Sequence, residues 1–151
     1  MGIENLVEIN KKLRKIKVAD IMSRFAITTS PETSIMDLAH LLMRFKISGV
    51  PVVSQNKIIV GIVTATDLFD IMNDMVFKLE NGQVQENGKV LYVKDIMVKN
   101  VFSVTNETPL FDALKLMIDK NIYTLPVVSD NEITGIIGRR DVINSFYANK
   151  D

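Results

Sequence analysis

The sequence contains no cysteine, which excludes disulfides and thiolate chemistry. It reads as a soluble cytoplasmic protein, which suits a reducing compartment. Histidine occurs once, at His40. That leaves no Cys–His nucleophile pair and no second imidazole for a metal triad. His40 sits inside a helical segment where the matching position of the second half is Lys115, so a solvated surface role is expected. No excess of one charge is present either: 18 basic and 18 acidic residues cancel, which argues against a strong nucleic-acid-binding surface. No apolar run reaches the ~18 residues of a membrane span, and the N-terminus lacks an uninterrupted apolar signal region. No Asp/Glu spacing stands out as an acid–base or metal pair. With no nucleophile, base and orienting group to assemble, neither an enzyme, a catalytic cofactor nor a bound metal is expected.

What the chain does contain is itself, twice. Val18-Ala19-Asp20-Ile21-Met22 returns as Val93-Lys94-Asp95-Ile96-Met97, and Ile47-Ser48-Gly49-Val50-Pro51-Val52-Val53 returns as Ile122-Tyr123-Thr124-Leu125-Pro126-Val127-Val128. Laid 75 positions apart, segments 18–53 and 93–128 agree at 12 of 36 positions without a gap. Gly61-Ile62-Val63-Thr64-Ala65-Thr66-Asp67 returns at Gly135 to Asp141 with the offset reduced to 74. Such a duplication implies two similar modules related by an approximate two-fold axis, and two near-copies of any ligand cleft between them. The 151 residues suffice for one compact domain burying roughly 70% of its unfolded surface.

Residues 1–17 form an N-terminal segment whose first sixteen positions read as an amphipathic helix, with Ile3, Leu6, Ile9, Leu13 and Ile16 on one side. Residues 18–72 make the first repeat and 93–151 the second, joined by a linker at 73–92. Each repeat predicts a short strand (around Ile27 and Thr28; around Phe102 and Ser103), then a helix, two strands and a closing helix. In the second repeat Thr108 and Pro109 read as N-cap and first helical residue. Ile35, Leu38, Leu41, Leu42 and Phe45, matched by Leu110, Ala113, Leu114, Met117 and Ile118, are spaced for burial. Strands are expected at Val50–Val53, Ile58–Val63, Leu125–Val128 and Ile133–Ile137, turning at Gln55-Asn56 and Asp130-Asn131. The closing helices start near Thr66 and Arg140. The methionines Met22, Met36, Met43, Met72, Met97 and Met117 fall at periodic apolar positions, where filling the core is the default. In the linker, Asn81-Gly82 and Asn87-Gly88 signal turns, with a hairpin predicted around Asn81-Gly82; a lid over a cleft and a plain surface excursion both fit. The β-α-β-β-α order gives an α+β unit with helices covering one sheet face.

Chemistry concentrates at the strand-to-helix junction of Gly61 to Asp67. A helix N-terminus offers free N–H groups and a positive dipole end to a phosphate. The Thr64 hydroxyl can donate to a phosphate oxygen, and the Asp67 carboxylate can accept from ribose hydroxyls. Thr-x-x-Asp is equally a near capping box, in which the two residues satisfy each other's backbone donors. The motif alone leaves both readings open.

From Asp20 to Ser145 the chain resembles a tandem pair of CBS domains, the modules named after cystathionine β-synthase. The marks are Asp-Ile-Met at 20–22 and 95–97, Pro-Val-Val at 51–53 and 126–128, and Gly-h-h-Thr-x-x-Asp at 61–67. The resemblance implies two repeats related by a pseudo-two-fold axis, packed through their sheets, with two clefts that bind AMP, ADP, ATP or S-adenosylmethionine. It implies that Asp67 holds ribose, Thr64 holds phosphate or ribose, and Thr28, Ile47, Gly49, Val50 and Pro51 form an adenine slot. Apolar walls suit the faces of adenine, and strand-edge N–H and C=O groups suit its edge. The second site would use Ser103, Ile122, Thr124, Leu125, Pro126 and Asp141. There Gly138 replaces the threonine, while Arg139 and Arg140 add positive charge that can clamp phosphate. Unequal sites are expected, the first the more complete.

These implications point to a regulatory module that senses adenosine compounds and signals to a partner protein in trans, since no output domain is recognisable. A homodimer is implied, with residues 1–16, 35–45 and 66–76 as candidate contacts. The alternative is a ligand-free structural dimerisation module, favoured by Gly138 and opposed by Thr64 and Asp67. A nucleic-acid-linked regulator using the basic cluster Lys11, Lys12, Arg14, Lys15 and Lys17 is disfavoured by the balanced charge.

Overall fold

The computed structural model describes residues 3–83 and 90–148. In chain order the elements are α1 (Ile3–Lys15), α2 (Val18–Ile21), α3 (Ile35–Phe45), β1 (Gly49–Val53), β2 (Ile59–Thr64), α4 (Ala65–Glu80), α5 (Val93–Ile96), α6 (Leu110–Lys120), β3 (Thr124–Ser129), β4 (Glu132–Gly138) and α7 (Arg139–Ala148). β1 pairs antiparallel with β2, and β3 with β4, each as a two-stranded sheet. Both hairpins carry an irregularity at the equivalent place, between Val52 and Val53 and between Val127 and Val128.

The expected first strand of each repeat is reduced to one parallel bridge, Thr29 to Val52 and Val104 to Val127. The flanking Thr-rich turns draw the chain away before a ladder can grow: Thr29 Oγ1 donates to Thr33 Oγ1, and Thr105 N donates to Thr108 Oγ1. The same bond takes Thr108 out of the capping role, and Pro109 is the N-cap of α6, without a side-chain cap. Ser34 caps α3 by accepting from Asp37 N–H. Both helices end in a left-handed residue at equivalent positions, Lys46 and Asn121.

The second hairpin turns at Asp130-Asn131, both with positive φ, as two-residue turns require. In the first, the left-handed residue is Lys57 and the loop is one residue longer, which accounts for the drop in repeat offset from 75 to 74. α4 runs on to Glu80, so Phe77 to Glu80 belong to a helix and not to a hairpin arm. A Lys78–Asp74 pair supports the last turns, and the Asn81 side chain donates to Phe77 O. Asn87-Gly88 lies outside the described residues.

The chain divides into two compact units that cut across the sequence repeats. Unit 1 joins residues 1–26 to 102–151, and unit 2 is residues 27–101. The cause is a crossing of the segments that lead each repeat. Residues 18–23 dock on the body of the second repeat: Val18 N donates to Thr108 O (2.8 Å), and Ser23 and Ile136 exchange backbone hydrogen bonds. Residues 93–98 dock on the body of the first repeat in the same way: Val93 N donates to Thr33 O (2.8 Å), and Val98 and Ile62 exchange theirs. Ion pairs secure both, Lys17 with Glu107 and Lys94 with Glu32. Glu107 and Glu32 are repeat equivalents. The carboxylates raise both lysine pKa values through hydrogen bonding and charge.

Each unit has its own core. In unit 1 it comprises Leu13, Val18, Met22, Val104, Leu110, Ala113, Met117, Leu125, Val127, Ile137 and Val142. α1 contributes Leu13, and Arg14 stacks over the Phe111 ring. In unit 2 it comprises Leu38, Leu42, Val50, Val52, Val63 and Val93. Phe45 and Ile118 are exposed, although their spacing suggests burial, because α3 and α6 each bury a face narrower than the apolar stripe. Met36 and Met43 on α3 are exposed for the same reason, and Met72 lies on α4, which has no fully buried residue, leaving Met22 and Met117 as the buried methionines of that set. His40 is exposed, as expected.

Candidate functional site

In unit 2 the site is built where β1 begins and β2 ends. Gly49 pairs with Thr64, and Ala65 N donates to Ser48 O at 2.7 Å, so the approach to β1 lies beside the first turn of α4. Ile47 is tied to α3 by its N–H bond to Leu42 O. Thr28 precedes Thr29, whose N–H donates to Pro51 O. The hairpin register and the single parallel bridge thus gather three separate stretches of chain, Thr28, residues 47–51 and residues 64–67, around β1.

Thr64 and Asp67 form a capping box. Asp67 Oδ2 accepts from Thr64 N (2.8 Å) and from Thr64 Oγ1 (3.1 Å), and Asp67 N donates to Thr64 Oγ1 (3.4 Å). This bonding occupies Oδ2 of the half-buried Asp67 and leaves Oδ1 as the acceptor for hydroxyls of a ligand. Thr28 and Ile47 are half-buried, whereas Gly49, Val50 and Pro51 are buried. Val50 belongs to the core, and the Pro51 carbonyl accepts from Thr29.

Unit 1 repeats the geometry. Thr124 pairs with Gly138, Ile122 N donates to Met117 O, Val104 N donates to Pro126 O, and Ser103 precedes Val104. Asp141 Oδ2 accepts from Gly138 N at 2.8 Å, the counterpart of the Thr64–Asp67 bond. Gly138 offers no hydroxyl, so the reciprocal cap is missing. Leu125 and Pro126 are buried, Ser103 is exposed, and Arg139 and Arg140 project from the exposed start of α7. Tyr123, not singled out from the sequence, lies here: the Arg139 guanidinium sits 4.7 Å from its ring centroid. Its position between Ile122 and Thr124 was the available signal.

A depression of about 1070 Å³ also opens on unit 2, lined by Thr28 to Thr33, Asp37, Leu41 and Val53 to Asn56. It shares only Thr28 with the candidate site and lies toward the opposite end of β1. Its hydroxyls are bonded to one another, Thr29 and Ser30 to Thr33. Among the described residues no group of three or more His, Cys, Asp or Glu side chains is placed to hold a metal ion. No described helix is long and apolar enough to cross a membrane.

The repeated hairpin-and-cap geometry coincides with a family match: the CBS domain model matches residues 18–74 and 93–148. The chain belongs to the CBS domain family. A protein of Methanopyrus kandleri is 29% identical over 132 residues, which is 87% of this chain and 63% of that protein. Inosine-5'-monophosphate dehydrogenase of Korarchaeum cryptofilum is 34% identical over 97% of this chain but only 26% of its own length. The CBS chain therefore spans less than two thirds of these relatives, and about a quarter of the enzyme. Among solved structures, the CBS domain pair of MJ0100 in complex with 5'-methylthioadenosine and S-adenosyl-L-methionine has a TM-score of 0.72 at 27% identity, covering 89% of this chain and 98% of that one. CBSX2 in complex with AMP has a TM-score of 0.73 at 30% identity, with the same coverage. The fold is α+β, two CBS repeats of helices and small antiparallel sheets.

Proposed function

We propose that this CBS domain chain is a regulatory module that binds adenosine compounds, with one site in each unit, and signals to a partner protein in trans. The observation that carries the reading is the repeated placement of an aspartate in the first helical turn beside the start of the hairpin, Asp67 in unit 2 and Asp141 in unit 1. Each has one carboxylate oxygen engaged with the cap and a second to accept from ribose hydroxyls. In this reading Thr28 and Ile47, and Ser103 and Ile122, receive the base. Solved relatives of the same fold carry AMP, or 5'-methylthioadenosine and S-adenosyl-L-methionine.

The reading extends to a cytoplasmic homodimer. Met43 and Phe69 in unit 2, and their repeat equivalents Ile118 and Ile143 in unit 1, are exposed apolar side chains on helices and suit contact with a second copy. Leu6 and Val7 add exposed apolar surface on α1.

A second reading, a ligand-free dimerisation module, is favoured by one observation: Thr64 and Asp67 already satisfy each other, as a purely structural cap would. Calorimetric titration of the folded chain with AMP, ATP and S-adenosylmethionine separates the two. Saturable binding of any of them supports the sensor, and its stoichiometry reports whether Gly138 disables unit 1. No binding to all three supports the scaffold.

A further inference from the structure

The two candidate sites differ in one pair of side chains beside the helix cap. In unit 2 the pair is Ser48 and Ala65; the repeat equivalents in unit 1 are Tyr123 and Arg139. The backbone holds each pair together in the same way, Ala65 N donating to Ser48 O (2.7 Å) and Arg139 N to Tyr123 O (3.1 Å). Only in unit 1 do the side chains interact. The Arg139 guanidinium lies over the Tyr123 ring at 4.7 Å from its centroid. The ring is held in turn, because Tyr123 Oη donates to Asn121 Oδ1 at 2.7 Å, and Asn121 is fixed in the left-handed conformation that ends α6.

The stack restricts an arginine that would otherwise sweep freely from an exposed helix start. No described carboxylate lies within ion-pair distance of Arg139. The carboxylate nearest in sequence, on Asp141, has Oδ2 engaged by Gly138 N. The described ion pairs and side-chain hydrogen bonds engage none of the Arg139 guanidinium N–H groups, and those are the donors that fork onto phosphate oxygens. The replacement of threonine by Gly138 also removes from this site a hydroxyl donor that unit 2 retains.

We propose that Tyr123 is a positioning residue that holds Arg139 for the phosphate of an adenosine ligand. The unit 1 site therefore selects phosphorylated adenosine compounds, whereas the unit 2 site, with Ser48 and Ala65, binds them without that discrimination. The inference rests on the adenosine-binding reading above and assigns ligand classes to its two sites.

The test titrates the full chain with two probes, AMP and adenosine, and follows binding at each unit through the backbone amide signals of Gly138 and Thr64. The variants are Tyr123→Phe, Tyr123→Ser, Arg139→Gln and the double variant Tyr123→Ser/Arg139→Gln. Tyr123 is 47% exposed, so both of its variants should fold. At Gly138, Tyr123→Ser is expected to weaken AMP about two- to five-fold, as for losing an exposed cation–π contact. Arg139→Gln is expected to weaken AMP more than about tenfold, as for losing charge-assisted hydrogen bonds. The double variant should be no weaker than Arg139→Gln, and Tyr123→Phe, which keeps the ring but loses its bond to Asn121, should fall between the parent and Tyr123→Ser. Adenosine affinity should not change in any of them. Equal losses for AMP and adenosine would make Tyr123 a wall of the site and overturn the proposal. So would additive losses in the double variant, or a parent chain that binds both probes equally at Gly138. A parent that binds neither probe at either unit would overturn the adenosine reading as well, an outcome distinct from the others. Arg139→Gln alone decides the selectivity if Tyr123→Ser does not fold.

Discussion

Alanine at Gly135 or Gly61 tests the crossing of the two lead segments, because each glycine is where such a segment presses on a strand. A Cβ at Gly135 would lie 2.7 Å from Ser23 O and 2.8 Å from Met22 Sδ; at Gly61 it would lie 2.7 Å from Met97 Sδ and 3.1 Å from Val98 O. The two cases differ in what has to move. Ser23 O accepts from Ile136 N, so a methyl at Gly135 displaces a bridged backbone. At Gly61 the nearest atoms belong to the flexible Met97 side chain, and Val98 O has only to give by a few tenths of an ångström. Overfilling a packed site costs about 1–3 kcal/mol. Gly→Ala at a backbone geometry that tolerates Cβ returns about 0.4–1 kcal/mol through the unfolded chain. The net expectation is a loss of about 1–2 kcal/mol for Gly135→Ala and less than about 1 kcal/mol for Gly61→Ala, read from urea unfolding. Shortening the clashing side chain identifies the partner. Gly61→Ala combined with Met97→Ala should show a coupling of at least about 0.5 kcal/mol in a double-mutant cycle. If Gly61 couples to Met22 and not to Met97, each lead segment packs on its own repeat and the reasoning fails.

Asp67→Ala should weaken binding of an adenosine ligand by about 1.5–3 kcal/mol in titration calorimetry, as for losing hydrogen bonds to a charged group; unchanged affinity in the folded variant would sink its assigned role. Gly138→Thr should be accommodated, since its Cβ would lie 3.4 Å from Tyr123 O and 3.8 Å from Asp141 Oδ2. Because glycine and threonine are similar N-caps, stability should shift by only a few tenths of a kcal/mol, and a large loss on thermal unfolding would contradict the geometry of the cap. The pairs Lys17–Glu107 and Lys94–Glu32 raise the lysine pKa values above 10.5, so their contribution is complete below that pH and lost as pH rises through the folded values. The stability difference between the parent and Lys17→Met/Lys94→Met should therefore be flat from pH 7 to about 9 and shrink in strong alkali; growth of the difference there would reverse the sign of the linkage.

The duplication, the two hairpins and the Thr64–Asp67 junction could all be read from the chain, because each depends on neighbours close in sequence. Turn residues, alternation and cap spacing act within a few positions, and the repeat shows them twice. The helix through Phe77 to Glu80 was masked by Asn81-Gly82: the same dipeptide that can close a hairpin can also end a helix. The exposure of Phe45, Ile118, Met36, Met43 and Met72 was hidden because periodicity marks an apolar stripe without showing how much of it the core covers. Thr108 lost its capping role to a bond three residues back, a competition that propensity does not rank.

The duplicated α+β plan, the family and the Thr64–Asp67 cap were legible in the chain, since each rests on short-range pattern. Which segment completes which unit emerged with the fold. Residues 18–23 and 93–98 are nearly the same sequence and could each pair with either repeat, so local pattern leaves the choice open. Long-range contacts settle it, through close approach at Gly61 and Gly135 and the pairing of Lys17 and Lys94 with carboxylates on the opposite repeat's body. The meeting of Arg139 with Tyr123, sixteen residues apart in the chain, depends in the same way on the register of β3 with β4.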